Sequence, residues 1–347
     1  MKNILKKLRR KQQRFVSSEL PRLLSKHVLL AKLYYLLFSR AFDRELRSVL
    51  AGRDAYLAQV SSEAANATLL TRNIHRLEKG LLMRPRRDTF AAGFITETVT
   101  AFSKLVKGPQ TCTPDQLRWF TDVLREYFSA TAQSQHPVIE RQRQRFVTLV
   151  VEEELDEVRK VPYKRTQRVD ISFEDFAKLS YQRRSVRWFL DQPVPRALID
   201  RAISVASQSP SACNRQPFRY VIIDDPAKIA KAVELPMGTR GYAHSIQSFI
   251  VCVGNLSAYF HERDRHLIYI DASLANMALM YSLEVLGLSS VPINWPDIEP
   301  RERMMQDFLG LRDYERPIMC MGVGYPDPEG MVAYSQKKDL DQLRAYA

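Results

Sequence analysis

Three short runs rich in β-branched and apolar residues, all in the second half of the chain, set the fold class. The runs are Phe218–Asp224, Phe249–Val253 and Ile318–Val323, and runs of this kind that end in turn residues predict strands. Between the last two, residues Asp271 to Leu286 are apolar on most of the helical circumference, which predicts a buried helix capped by Asp271 and stopped by Gly287. Because strands and helices alternate irregularly, the pattern predicts an α+β fold.

The first half has a different pattern. Leucines recur every three or four positions between Leu20 and Leu37, with Lys and Arg between them, and helical spacing continues to about residue 160. This predicts an all-α region, broken at 107–109 and near Pro137, with Gly80 as a helix C-cap. Residues 152–172 have the composition of a linker, and Ser172 with Asp175 indicates the start of a new helix. We therefore expect a helical region with its linker over 1–170 and a second domain over 171–347.

The basic charge of the chain is confined to the helical region. The formal net charge is +13, and residues 1–170 hold 32 Lys and Arg against 18 Asp and Glu, whereas the remainder holds 20 against 21. Such a basic region suits an anionic partner, either a membrane or a nucleic acid. Two interpretations stay open: amphipathic helices with a basic face on anionic lipid or on a partner, or ordinary helices packed on the rest of the protein. No zinc finger, RNP-like aromatic motif or helix-turn-helix signature supports nucleic acid.

The four cysteines are far apart, with neither metal-ligand nor disulfide spacing, which favours a reducing compartment. Residues 1–14 carry seven Lys and Arg and no acid, but no clean apolar segment of a signal peptide follows. The apolar run Val28–Phe38 is interrupted by Lys32 and is shorter than the roughly 20 residues that span a bilayer. We expect a cytoplasmic protein, with peripheral attachment to the inner membrane face left open.

Two segments have the chemistry of a binding site. Paired guanidiniums and a hydroxyl suit a phosphate, although a solvated basic face is the alternative; the residues are Arg183, Arg184, Ser185 and Arg187. The second segment is a loop between two prolines, whose amides complement a heterocycle edge such as a flavin pyrimidine. Its candidates are Pro210, Ser211, Ala212, Asn214 and Gln216.

Together these segments, Arg183-Arg-Ser-Val-Arg-x-Phe189 and Ser209-Pro-Ser-Ala-Cys-Asn-Arg-Gln-Pro-Phe218, resemble the FMN-dependent nitroreductase family. The stretch Gly287–Trp295 is similar to the family's segment after its long central helix. Gly322-Val-Gly-Tyr-Pro326, followed by Lys337 and Lys338, is similar to the family's last strand and basic pair. The resemblance covers about residues 174–345.

The resemblance implies a nitroreductase-like fold, a central mostly antiparallel sheet flanked by helices, in a homodimer with FMN at the subunit interface. It implies that Arg183 and Ser185, with Arg184 beside them, hold the phosphate and ribityl end, and that Arg187 lies near the pyrimidine. The loop residues would reach the flavin of the neighbouring subunit. Flavin N5 would be lined by Pro292, Ile293, Asn294 and Trp295, and the phosphate would meet Lys337 or Lys338.

The implied activity is hydride transfer from NAD(P)H through flavin N5 to a conjugated small-molecule acceptor such as a quinone or nitroaromatic. Asn294 stands where many members have an acidic residue, and the segment Met237–His244 does not align with the family. The piece Leu77-Glu-Lys-Gly-Leu81 is similar to a helical prefix on nitroreductase-like proteins associated with surface-polysaccharide synthesis. The competing hypothesis is a non-catalytic flavin-fold dimer that docks a membrane or protein partner through its basic helices.

Overall fold

Helices form the first half of the protein. The computed structural model describes residues 5–7, 11–12, 14–62, 67–109, 111–150 and 159–347. The helices in the first half are α1 (Leu20–Leu24, preceded by a π-helical turn at Phe15–Glu19), α2 (Val28–Leu37), α3 (Asp43–Ser61), α4 (Ala67–Leu81), α5 (Ile95–Lys107), α6 (Pro114–Ala130) and α7 (Pro137–Val147). Most of the basic segment 1–14 and of the predicted linker 152–172 lies outside the described residues or in irregular structure.

The helices α4–α7 share a core of their own. Its fully buried side chains come from all four helices and include Ile74, Val99, Phe120 and Ile139. Local signals fix the helix starts: Thr113 and Gln116 form a capping box at α6, and α6 and α7 both begin with proline. Helices α4–α7 of the predicted helical region therefore form one bundle.

Helix α3 packs on the second half of the chain instead. A Cβ on Gly52 would lie 2.7 Å from Cβ of Leu256, so the glycine permits close approach of the helix. Ion pairs join Arg47 of α3 to Asp313 at 2.6 Å and Arg44 to Glu299 at 2.5 Å. The boundary near residue 170 stays a prediction, since α3 belongs by its contacts to the later part of the chain.

A four-stranded sheet lies at the centre of the second half. Its strands are β1 (Phe218–Ile223), β2 (Ser248–Asn255), β3 (Ser289–Asn294) and β4 (Glu315–Gly324). The order is β1-β2-β4-β3, and every neighbouring pair is antiparallel. The three predicted strands are confirmed. Strand β3 was not predicted; it lies at the sheet edge, where Pro292 is tolerated.

Helices cover both faces of the sheet. They are α8 (Phe173–Gln182), α9 (Arg196–Ala206), α10 (Pro226–Ala232), α11 (Leu267–Val285) and α12 (Glu299–Leu309), and a short α13 (Leu340–Leu343) lies in the C-terminal tail. On β2, Ile250 packs in a cluster with α9 and α11, whereas Phe249 and Val251 pack with α10 and α12. This alternation follows from the two-residue period of a strand. The predicted α+β architecture is confirmed.

Two helix signals have a different meaning from the predicted one. The long buried helix begins at Leu267 rather than at Asp271, so Asp271 lies inside α11 and is not its cap. Its carboxylate instead accepts a hydrogen bond from a distant loop. Gly80 is the penultimate residue of α4 rather than its C-cap; a Cβ there would overlap the Phe90 ring, so the position requires glycine for close packing. By contrast, Gly287 adopts a φ of +78° just past α11, as predicted for a stop.

None of the helices in the described ranges is both long and apolar enough to cross a membrane.

Candidate functional site

The segment Arg183–Arg187 runs along the outer edge of β3. The segment follows α8 directly, and the Arg183 N–H donates to Leu179 O in the last turn of that helix at 2.9 Å. Ser185 then forms a parallel bridge with Ser290, and the Val186 N–H donates to Ser290 O at 3.1 Å. This edge position fixes the backbone of the segment against the strand that carries Pro292–Asn294.

The guanidiniums of this segment have spare donors. Within the described residues, Arg184 and Arg187 form no ion pair with a carboxylate. The charge of Arg183 opposes the burial-raised pKa of Glu284, but Arg183 Nε is buried with no hydrogen-bond partner. The buried Ser290 Oγ beside the segment also has none. Because buried donors are normally satisfied, these atoms indicate a polar ligand with acceptor oxygens.

Arg187 contacts Tyr242, which lies in the unaligned segment Met237–His244, and Ser245, which follows that segment. The Arg187 guanidinium lies 5.8 Å from the Tyr242 ring centroid, and Ser245 Oγ donates to Arg187 O at 2.8 Å. Burial raises the pKa of Tyr242, while Arg187 acts in the opposite direction. Sequence reasoning assigned nothing in 237–244; its two left-handed glycines, Gly238 and Gly241, were the available signal of a shaped loop.

The β3 residues divide between two faces. Pro292 is half-buried and Asn294 is exposed, whereas Ile293 and Trp295 are buried in the core. Trp295 Nε1 donates to Glu302 at 2.9 Å, so its side chain is committed to the interior. For a ligand beside β3, Pro292, Asn294 and the backbone are the accessible groups.

The C-terminal tail reaches the same side of the molecule. A cleft of about 640 Å³ is lined by Arg184 and Lys337 together with Phe173, Phe176 and Tyr334. Lys338 follows and is exposed. The structure thus brings the arginine segment, β3 and Lys337 of the tail into one neighbourhood, whereas no contact within the described residues places Lys338 there.

The loop Pro210–Gln216 has an unusual backbone. Cys213, Asn214 and Gln216 have φ values of 54°, 54° and 47°, a left-handed conformation that costs non-glycine residues free energy and is concentrated at functional sites. Ser211 Oγ accepts the Gln216 N–H at 3.1 Å. The loop is therefore a defined structure that its surroundings hold in place.

Asp271 is the anchor of this loop. Its Oδ2 accepts the Ala212 N–H at 3.0 Å and the Tyr259 hydroxyl at 3.3 Å. Burial raises the pKa of Asp271, and the two hydrogen bonds and the charge of Arg215 oppose that shift. The sequence signal was an acid, one of only two with Glu284, in an otherwise apolar helix, which indicates a specific buried partner.

The loop lies at the corner of the sheet diagonally opposite the arginine segment. The loop leads into β1 at Phe218, which pairs with Gly254 of β2. The arginine segment meets β3 at Ser290 through Ser185. Both Ser290 and Ser248 of β2 pair with Val323 of β4, so the arginine segment is level with the other end of β2. Three strand spacings are about 14 Å and six residues along β2 are about 20 Å. Within one chain, the structure does not bring Pro210, Ser211, Ala212, Asn214 and Gln216 together with the other candidates.

Helix α4 lies beside the loop and adds cations to it. Arg76 of α4 is half-buried over the Phe94 ring at 3.6 Å, and burial together with the charge of Arg72 lowers its pKa. On the loop itself, Arg215 lies 4.7 Å from the Tyr259 ring centroid and its Nε is buried without a partner. Arg76, directly before the piece 77–81, is thus a neighbour of the loop.

Comparison with known proteins shows similarity of the second half of the chain to one family. Residues 181–239 and 243–325 match the model of the Nitroreductase family. Iodotyrosine deiodinase 1 of Pongo abelii is 28% identical over 197 residues, which cover 49% of this chain and 67% of the relative. A protein of Archaeoglobus fulgidus proposed to be an NADH dehydrogenase/NAD(P)H nitroreductase is 26% identical over 160 residues, covering 45% and 88%.

Among solved structures, a nitroreductase-like protein of Streptococcus mutans has a TM-score of 0.45 and 21% identity, covering 51% of this chain and all of that one. The family-model match confirms the nitroreductase-like fold predicted from the sequence motifs.

Proposed function

We propose that the protein is an FMN-dependent oxidoreductase that uses NAD(P)H to reduce a conjugated acceptor, since residues 181–239 and 243–325 match the model of the Nitroreductase family. The observation that carries the proposal is the arginine segment on the edge of β3. Arg183 has a buried Nε without a partner, and Arg184 and Arg187 lack carboxylate partners within the described residues. A dianionic phosphate would satisfy these donors, so the residues fit the phosphate-bearing cofactor.

Each group in the neighbourhood has a distinct role in this proposal. Arg183 and Ser185 hold the phosphate and ribityl end, with Arg184 beside them, and Lys337 completes the phosphate site from the tail cleft that it shares with Arg184. Arg187, positioned by Tyr242, places a cation near the pyrimidine edge. Because a fixed cation needs no reorganisation, it stabilises negative charge there at little cost.

When bound, FMN would supply the hydride chemistry that links NAD(P)H to an acceptor such as a quinone or nitroaromatic. Pro292 and the backbone of Ile293 and Asn294 would line one side of the FMN site beside β3. Trp295 lies in the core next to them, held by its hydrogen bond to Glu302.

The site is proposed to be completed by a second copy of the chain. The loop Pro210–Gln216 and the arginine segment occupy diagonally opposite corners of one sheet. In a two-fold dimer, the loop of one chain can lie beside the arginines of the other. Large apolar side chains exposed on α11 and in the tail, including Ile270, Leu274 and Met331, supply surface for such an interface.

The test begins with the purified full chain. Its visible absorption is recorded as isolated and after addition of FMN, and then under anaerobic conditions with NADH or NADPH. Flavin bands that bleach with either nucleotide, followed by reoxidation with a quinone, are the expected result. A colourless protein that takes up no FMN would refute the proposal and favour the non-catalytic scaffold.

A second candidate activity is reductive dehalogenation of an aromatic ring, and the similarity to iodotyrosine deiodinase 1 favours it. This reaction consumes two electrons and one proton per carbon–halogen bond and releases halide. Halide release from a halogenated phenol, measured by ion chromatography with dithionite as reductant, separates the two activities. Turnover of quinones without any halide would exclude the second. The association with surface-polysaccharide synthesis stays a prediction from the resemblance of 77–81.

A further inference from the structure

The first two helices leave their apolar side chains in solvent. No residue of α1 or α2 is buried, and Val28, Leu29 and Leu36 are 75%, 69% and 77% exposed. We use the name docking face for the exposed apolar side chains of this region: Leu23, Val28, Leu29, Leu33, Leu36, Leu37, Phe38 and Phe42. So many exposed apolar side chains in one short stretch of the chain mark an interaction surface, because solvent exposure of so much apolar area is unfavourable.

The docking face is a structured element. Tyr34 Oη donates to Val16 O at 3.0 Å, which ties α2 back to the turn before α1. The Tyr35 ring meets Phe42 edge-on at 4.6 Å between centroids, just before α3. Since α3 is fixed to the sheet-bearing part by the ion pairs of Arg44 and Arg47, the face is carried on the same framework as the candidate site.

Basic residues are interspersed along the sequence that carries the docking face. Residues 14–42 contain one acid, Glu19, and five basic side chains; these are Arg14, Arg22, Lys26, Lys32 and Arg40. Within the described residues only Arg40 forms an ion pair, with Asp43 at 3.7 Å. The face therefore combines exposed apolar side chains with uncompensated positive charge.

This combination favours a lipid surface over a second copy of the chain. In a two-fold dimer the same patch meets itself, so the cations of one chain would face those of the other. An anionic bilayer offers both an apolar phase and negative headgroups. Helix α2 has ten residues and is about 15 Å long, half the thickness of a hydrocarbon core, so it suits the interface plane and does not span.

We propose that the docking face is a peripheral membrane-binding surface, on which α2 lies in the interface of an anionic bilayer. Leu29, Leu33 and Leu36 enter the acyl boundary, and Lys32 extends its ammonium to the headgroups. The inference is independent of the proposed reaction, because it uses no residue of the candidate cofactor site.

The test is co-sedimentation of the full chain with vesicles of phosphatidylcholine alone or with one third phosphatidylglycerol. We expect about tenfold tighter binding to the anionic vesicles, weakening as NaCl rises from about 0.05 M to about 0.5 M. The variant Leu29→Asp/Leu36→Asp should lose at least about tenfold in affinity. The control Val147→Asp/Val205→Asp has the same charge change on exposed apolar residues elsewhere and should bind like the parent.

Equal binding to both vesicle types, or unchanged binding by Leu29→Asp/Leu36→Asp, would overturn the proposal. Sedimentation equilibrium identifies the other occupant: a dimer that only this variant dissociates, with no vesicle binding by the parent, would assign the face to a second copy. Circular dichroism and the urea midpoint, measured on every variant, establish that the rest of the molecule is folded.

Discussion

The loop anchor Asp271 offers the sharpest test of how the candidate site is built. In Asp271→Ala the Ala212 N–H and the Tyr259 hydroxyl lose their acceptor inside the protein, since Asp271 is only 3% exposed. Each unsatisfied buried donor costs about 1–3 kcal/mol. Relief of the buried carboxylate, whose pKa is raised by burial, offsets part of this cost. We expect the free energy of unfolding to fall by about 1–3 kcal/mol.

In Asp271→Ala, retention of FMN should be affected more strongly than the free energy of unfolding. Three residues of the loop, Cys213, Asn214 and Gln216, have left-handed backbones. Each such residue stores about 1–3 kcal/mol, which the released loop can relieve by changing conformation. The proposed site then loses the amides of Asn214 and Gln216, even where the global fold survives.

Urea unfolding and the FMN content of dialysed protein measure the two effects separately. Asp271→Asn is the matched control, because its amide oxygen can still accept the Ala212 N–H; its stability loss should stay below about 1 kcal/mol. An Asp271→Ala protein with the parent's urea midpoint and full flavin content would show that the loop does not depend on this anchor.

Three further predictions concern other parts of the molecule. Arg183→Ala should weaken FMN retention about 10- to 150-fold, since a charge-assisted phosphate contact is worth about 1.5–3 kcal/mol, and unchanged flavin content would contradict the phosphate assignment. The Arg44 hydrogen bond lowers the pKa of Glu299 to about 2. The contribution of this ion pair to the free energy of unfolding is therefore present above the unfolded pKa of Glu299 and is lost as pH falls towards 2. Because Glu299 is half-exposed, Glu299→Gln should remove only about 0.5–1 kcal/mol of that acid dependence, measured by urea unfolding between about pH 3 and pH 6; parallel curves for both proteins would argue against it. Gly80→Ala should destabilise by about 1–3 kcal/mol because its Cβ meets the Phe90 ring, and a more stable protein would mean that helix propensity outweighs this contact.

The strands and the Ser172 helix start could be predicted because their signals are local. Runs of β-branched residues make β1, β2 and β4, and the Ser172 hydroxyl accepts the Asp175 N–H at 3.0 Å as expected. Asp271 was mistaken for a cap because its actual partner, Ala212, lies 59 residues away. Gly80 had the same difficulty, since Phe90 reaches it only after the bundle folds.

The candidate site was predictable in its chemistry but not in its arrangement. Guanidiniums at 183–187 and amides at 210–216 are visible in the sequence, but the separation of these segments on the sheet depends on the strand order. The two interpretations of the basic helices were also undecided by sequence. In the structure each interpretation fits different helices. Helix α3 packs on the sheet-bearing part, whereas α1 and α2 contain no buried residue.

The diagonal placement of the two half-sites has a genetic consequence. If each complete site takes its arginines from one chain and its loop from the other, two inactive variants can restore each other. A chain with Arg183→Ala and a chain with Asn214→Ala, paired in one dimer, would build one site with both defects and one with neither. Random mixing of equal amounts makes half of the pairs heterodimers, so about a quarter of the parental activity should return. Such complementation between alleles requires that the subunits exchange.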